Sequence, residues 1–298
     1  MTLASIDWTP LFRFPLEWAA LALLVTACIW WERAGASGLG VEGAVASAMI
    51  GMILGYEATY SYPIALLVGL GAALVFAAVA GTLLQLFRPD PAVGSFAIGL
   101  IPVSGLGLLL RSGHYSLLED TTLPGIVRGT TLGGTPAEDL LMNPVLWAAP
   151  VVIALAAWVL WQTPFGLRVR AFGEAPSMRL PGASAGVDRV LGLVVGAAWA
   201  FPAAALLLSA HRVALPSGVG YLALACAVAS RWSIAFAILL ALLPAAIRSA
   251  IPEVAGTPFG FAVEAAPFAI ALVYLMLLAR RALRMPDSRR TRVDPDVL

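Results

Sequence analysis

Lysine is absent from the 298 residues; all 18 basic side chains are arginine. A phosphate-cradling loop of the G-x-x-x-x-G-K-[ST] type therefore cannot occur, because its lysine is what reaches the nucleotide phosphates. The chain cannot be its own ATP engine. Charge is scarce altogether: 12% of residues are charged, against about 25% in soluble domains. Seventeen acids leave a net charge of +1, which implies neither a nucleic-acid partner nor an acidic substrate. His114 and His211 are the two histidines, with no second histidine or clustered acids at ligand spacing, so no metal site is expected. The two cysteines, Cys28 and Cys226, lie in apolar runs and read as small buried hydrophobes. H-E-x-x-H and G-x-S-x-G are missing too, which argues against an intramembrane hydrolase. No enzyme is expected, and no cofactor bound by this chain.

What is present is apolar sequence: 60% of residues are hydrophobic and mean hydropathy is +0.90. A bilayer core needs about 20 apolar residues per helix, and runs of that order recur along the chain. They predict an all-α polytopic membrane protein of about nine spans, near 14–31, 39–55, 62–86, 92–110, 144–162, 190–210, 217–230, 233–251 and 263–283. The N-terminal residues lack a basic stretch followed by a cleavage site, so the first span is expected to stay in the mature protein. Residues 1–285 form a transmembrane domain and 286–298 a polar tail.

Six arginines cluster at and after the end of the last span, which places the tail in the cytoplasm by the positive-inside rule. Alternation then puts Arg33, Arg88, Arg168, Arg170, Arg179, Arg189 and Arg231 on the same side, and Arg13, Arg111, Arg128, Arg212 and Arg248 on or near the other. The N-terminus and the long loop 112–143 lie outside; that loop carries Glu119, Asp120, Glu138 and Asp139. It either receives an extracytoplasmic partner or is a plain solvated connection. The polar segment 163–189 lies inside.

Prolines at 63, 102, 150, 202, 244 and 267 fall within or at the ends of apolar runs. Each removes a backbone donor that lipid cannot replace, a feature of bundles with a cavity or moving parts. Gly51 with Gly55, and Gly192 with Gly196, offer small-xxx-small faces for close helix approach. Ser37-Gly38-Leu39-Gly40 and Ser217-Gly218-Val219-Gly220 open two spans that run in opposite directions. Paired Gly-interrupted segments of this kind mark the substrate site of inverted-repeat transporters. Gly38, Gly40, Glu42, Gly43, Gly218, Gly220 and Tyr221 are accordingly candidate pathway residues. Glu42 stands inside a span, where a hydrogen bond to a neighbouring loop competes with a pathway role. Glu17 and Glu264 stand near span ends and read as interfacial.

Three blocks carry a family resemblance. Trp31-Glu32-Arg33-Ala34-Gly35 followed by Gly40-Val41-Glu42-Gly43 resembles the "S-E-R-x-G-x-x-N-x-G-L-E-G" opening of bacterial ABC importer permeases of the simple-sugar and nucleoside type. Thr163-Pro164-Phe165-Gly166-Leu167-Arg168-Val169-Arg170-Ala171-Phe172-Gly173-Glu174-Ala175-Pro176 resembles their "T-R-F-G-L-R-L-R-A-V-G-E-N-P" loop. Residues 217–232, ending in Arg231-Trp232, are similar to their "G-R-G-F-I-A-L-A-A-V-I-F-G-R-W". The departures are Gly38 and Ala175 where the family has asparagine, and Phe87-Arg88-Pro89-Asp90-Pro91 where it has an "L-G-A-N" turn; polar groups that could hold a sugar or nucleoside are thereby lost.

The resemblance implies the ABC importer permease fold with an inverted pseudo-repeat, in a bacterial inner membrane. It implies a coupling helix near 171–185 that docks on a separate ABC ATPase subunit, through which ATP and magnesium act. It also implies a second permease subunit, identical or paralogous, and an extracytoplasmic solute-binding protein. Arg168, Arg170, Phe172, Gly173, Glu174, Pro176, Met178 and Leu180 are the candidate coupling residues. Phe172, Met178 and Leu180 would be apolar anchors in the partner's groove, while Arg168 and Arg170 pair with the partner's acids or with anionic lipid. The alternative is a secondary transporter driven by an ion gradient, which would need a paired acid and cation near midplane.

Overall fold

A computed structural model describes residues 9–114, 143–174, 184–210, 218–254, 265–270, 272–273 and 276. Helix α1 (Thr9–Arg33) leads through a 3-10 turn (Gly38–Gly40) into α2 (Val41–Thr59), followed by α3 (Tyr62–Phe87), α4 (Pro91–Arg111) and α5 (Pro144–Gln162). Next come the polar helix α6 (Pro164–Glu174), α7 (Ala185–Ala210), α8 (Val219–Ala229), α9 (Ile234–Leu240) and α10 (Leu242–Val254). All regular elements among the described residues are helices, as an all-α polytopic membrane protein requires.

Burial sorts the helices into a centre and a rim. Helices α1 and α2 are apolar on all sides and largely enclosed by their neighbours, whereas α3, α4 and α5 leave most of their apolar surface uncovered. In water such exposure would cost heavily; in a bilayer it is the lipid-facing side. Small residues permit the close contacts. A Cβ at Gly51 would strike Ala72 and the backbone of Val68 and Gly69, and one at Gly55 would strike Val68. Gly192 meets Ala34 and Val169, and Gly196 meets Trp30 and Trp31. Both small-xxx-small faces seen in the sequence are thus helix contacts.

Six helices among the described residues are long and apolar enough to cross a membrane, and they match the first six of the nine expected spans. The expected span 217–230 is an 11-residue helix, α8, about 16 Å long at 1.5 Å per residue, well short of a core of about 30 Å. The expected span 233–251 is divided at Ala241 into α9 and α10. Most of 263–283 lies outside the described residues, as do loop residues 115–142, Glu264, His211 and the tail. Helices α4, α5 and α7 continue through Pro102, Pro150 and Pro202, and Pro63 opens α3; Pro244 stands four residues after Leu240, so its missing N–H falls at the break between α9 and α10.

Polar side chains pair in two separate groups. On one side, Arg33 pairs with Glu174, Arg168 Nε lies 3.8 Å from Asp188, and Arg189 donates to the carbonyls of Ala34 and Gly35 at 3.1 and 3.0 Å. On the other, His114 meets Glu57 at 2.5 Å, Asn143 donates to Ser209 at 3.5 Å, and Arg248 pairs with Glu17 at 3.0 Å. Glu17, expected near a span end, is buried against its arginine.

Candidate functional site

The two Gly-interrupted segments meet. Gly38 begins the 3-10 turn that leads into α2, and Gly218 precedes α8 with a φ of +90°, a conformation that favours glycine. Each leaves backbone N–H groups with no intrahelical acceptor, and in a membrane protein's interior those donors need partners. Two carboxylates supply them. Glu32 Oε1 accepts from Gly38 N–H at 3.0 Å and from the Ser37 hydroxyl at 3.3 Å. Glu42 Oε1 accepts from Gly218 N–H at 2.6 Å, and Oε2 accepts from Gly220 N–H at 2.5 Å. Charge-assisted bonds from a helix N-terminus to a carboxylate are among the stronger ones available, and the helix dipole adds to them.

Cys28 lies at the junction. Its thiol is within donor reach of the Gly38 carbonyl at 3.8 Å and the Gly220 carbonyl at 3.7 Å. A Cβ on Gly38 would strike Leu224 of α8, and one on Gly220 would strike Glu42. The segments are therefore seated against each other and against α1 at a spacing that only glycine allows. Gly40 makes room for the Trp31 ring, which is also stacked on Phe76 and donates its indole N–H to the Leu193 carbonyl at 3.1 Å. Gly43 of α2 crosses Gly99 of α4. Tyr221, one step along α8, is tilted against Phe96 with ring centroids 5.9 Å apart.

Glu42 was open between a local hydrogen bond and a pathway role; both its carboxylate oxygens are engaged by backbone. Sequence reasoning missed Glu32 and Cys28. The signal for Glu32 is the need of Gly38 for an acceptor just after α1. Nothing in the sequence marks Cys28 beyond its burial.

The second candidate region is α6 and what holds it. Gly173 lies so near the end of α1 that a Cβ would collide with the Arg33 carbonyl, and Gly166 lies as close to the Val159 and Leu160 carbonyls of α5. The Arg33–Glu174 pair closes the same joint. Gly35, with a φ of +83°, packs under the Arg189 guanidinium, so the ends of α1, α6 and α7 are tied together. Phe172, expected as an anchor for a partner, is 1% exposed and packed inside the protein itself; helix α6 rolls it inward together with Gly166, Val169 and Gly173. Arg168 faces Asp188, and Arg170 lies over the Trp161 ring at 4.3 Å. Burial and the neighbouring Arg33 hold the Arg170 guanidinium below its ordinary pKa. Pro176, Met178 and Leu180 lie outside the described residues. No group of metal ligands is found among the described residues.

No protein-family model and no solved structure matches the chain. It is 25% identical over 235 residues to the guanosine ABC transporter permease protein NupQ of Bacillus subtilis, an alignment that covers 72% of each chain. Through most of its length, then, this multi-pass membrane chain is similar to an ABC transporter permease.

Proposed function

We propose that the chain is the membrane-spanning permease subunit of an ABC importer, sited in a bacterial inner membrane and passing a nucleoside such as guanosine. A separate ATPase supplies the energy, binding ATP and magnesium that this chain does not bind. A second permease subunit and a solute-binding protein complete the importer.

The observation that carries this reading is the seating of α6. A force applied at segment 163–189 bears on Gly173 and Glu174 and reaches the end of α1 through the Arg33 carbonyl and side chain. One residue back along α1, Glu32 holds the turn at Gly38, and a short way into α2 Glu42 holds α8. The cytoplasmic loop and the half-span are thereby connected through packed backbone and charged hydrogen bonds, which suits a rigid-body response to a partner's closure. Phe96 and Tyr221 present ring faces beside that joint, a surface suited to a nucleobase.

The gradient-driven alternative is not favoured. Glu42 is engaged by two backbone N–H groups, and the relative found is an ABC transporter permease. The test is co-purification of an ATPase with the solubilised protein, followed by guanosine uptake in cells. Removing residues 175–183, which leaves α6 and its glycine contacts in place, is expected to abolish both. Uptake that survives ATP depletion but collapses with the proton gradient would overturn the reading.

A further inference from the structure

One face of α5 is lined by Trp147, Val151, Leu155 and Trp158, 46–68% exposed, and ends at Trp161. The spacing of three and four residues keeps these side chains on one stripe, and a stripe this apolar on a spanning helix faces lipid. Trp161, one residue before the end of α5, therefore stands at headgroup level, where tryptophan is favoured. Two guanidiniums meet its ring: Arg170 at 4.3 Å and Arg33 at 5.4 Å from the centroid. The carboxylate of Glu174 contacts Arg33 and acts on Arg170 only at longer range. Among the described residues two cations thus share one acid, while Arg168 has Asp188 of its own. The neighbouring stretch 175–183 contains no Asp or Glu to make up the difference.

We propose that Arg33 and Arg170, stacked at the lipid-facing end of α5 around Trp161, form a binding site for the phosphate of an anionic phospholipid headgroup. The guanidinium is the side chain best matched to phosphate, and its flat face remains available to the indole while its edge binds oxygen. The apolar stripe below holds the acyl chains, which a free phosphate lacks. The site depends on the chain lying in a membrane and not on what it transports.

The test uses the full-length protein in a neutral detergent, offered phosphatidylglycerol and phosphatidylcholine in equal amounts, with retained lipid counted by native mass spectrometry. Phosphatidylglycerol is expected in excess. Arg33→Gln and Arg170→Gln are each expected to lower that preference roughly fivefold, the share of one basic residue at an anionic surface, and Arg231→Gln to leave it as it was. A second measurement keeps both arginines: headgroup spin-labelled phosphatidylglycerol should quench tryptophan fluorescence more than the phosphatidylcholine analogue, and Trp161→Phe should remove the excess. Equal retention of the two lipids by the unaltered protein, or an unchanged preference in both glutamine variants, overturns the proposal. Displacement of the lipid by millimolar inorganic phosphate would make a soluble anion the ligand and overturn it as well. Arg170→Gln losing a co-purifying ATPase with its lipid preference intact would assign the pair to a protein interface instead.

Discussion

Glu42 Oε2 accepts the backbone N–H of Gly220 at 2.5 Å, so a carboxylate of one Gly-interrupted segment holds the start of the other, 178 positions away. Its second oxygen does the same for Gly218. Hydrogen bonds to a charged group contribute about 1.5–3 kcal/mol each. Glu42→Ala strands both donors and is expected to lower the thermal unfolding midpoint in detergent sharply. Glu42→Gln keeps one acceptor oxygen and should fall between. In both variants co-purification of the proposed ATPase is expected to persist, because α6 is seated elsewhere, while uptake of the proposed nucleoside falls. Unaltered uptake in Glu42→Ala would remove the joint from the transport route.

Gly173 and Gly71 give opposite outcomes for the same substitution. A methyl at Gly173 meets the Arg33 carbonyl, whereas nothing lies within 4 Å of one at Gly71. Overpacking costs about 1–3 kcal/mol, so Gly173→Ala is expected to destabilise the protein and weaken ATPase retention. Gly71→Ala, on an open face of α3, is expected to gain about 0.5–1 kcal/mol from helix propensity. Calorimetry in detergent reads both. Equal effects would mean that α6 is not seated on α1 as described.

Much of this was legible in the sequence, and the parts that were not have a common physical reason. Apolar run length located six spans, and the paired Ser-Gly-x-Gly stretches located the joint around Cys28. Run length failed at 217–230 because α8 is as apolar as a full span; its shortness follows from where Gly218 finds its acceptor, which is a matter of contact and not of hydropathy. The pattern of α6 displayed Phe172 as an anchor, but its direction depends on Gly166 and Gly173 lying flat against α5 and α1. Nothing near Glu17 in the sequence points to its arginine partner, which is 231 positions away.

That buried pair sets a third expectation. Arg248 Nε donates to Glu17 Oε2 at 3.0 Å, with both side chains almost fully buried. Breaking a buried pair by removing one partner costs about 3–5 kcal/mol, since the remaining charge is left uncompensated. Glu17→Gln and Arg248→Gln are each expected to lower stability strongly. The double variant should recover part of the loss. A double-mutant cycle on unfolding midpoints measures the coupling, and additive losses would show that the two charges act separately.

Arg189 offers a test of the joint that leaves charge constant. Its Nε and Nη2 donate to two successive carbonyls, Ala34 and Gly35, a fork that a lysine ammonium cannot reproduce. Arg189→Lys is therefore expected to loosen α7 from α1, seen as faster amide hydrogen exchange at residues 34–38 and a lower unfolding midpoint. Exchange unchanged at those residues would mean that the fork adds nothing to the packing around it.

Cys28 reports on whether the two segments part during transport. The thiol is 0% exposed and lies between the Gly38 and Gly220 carbonyls, so in a Cys226→Ser background a membrane-permeant maleimide should label the resting protein slowly. If movement of α6 is passed through α1 to the joint, turnover of the assembled importer opens it and labelling accelerates when ATP and substrate are both supplied. Glu42→Ala should accelerate labelling without either, because the clasp on α8 is already released. A rate that is the same at rest and during turnover would mean that the joint stays closed while solute crosses, and the route would then have to run along another face of the bundle.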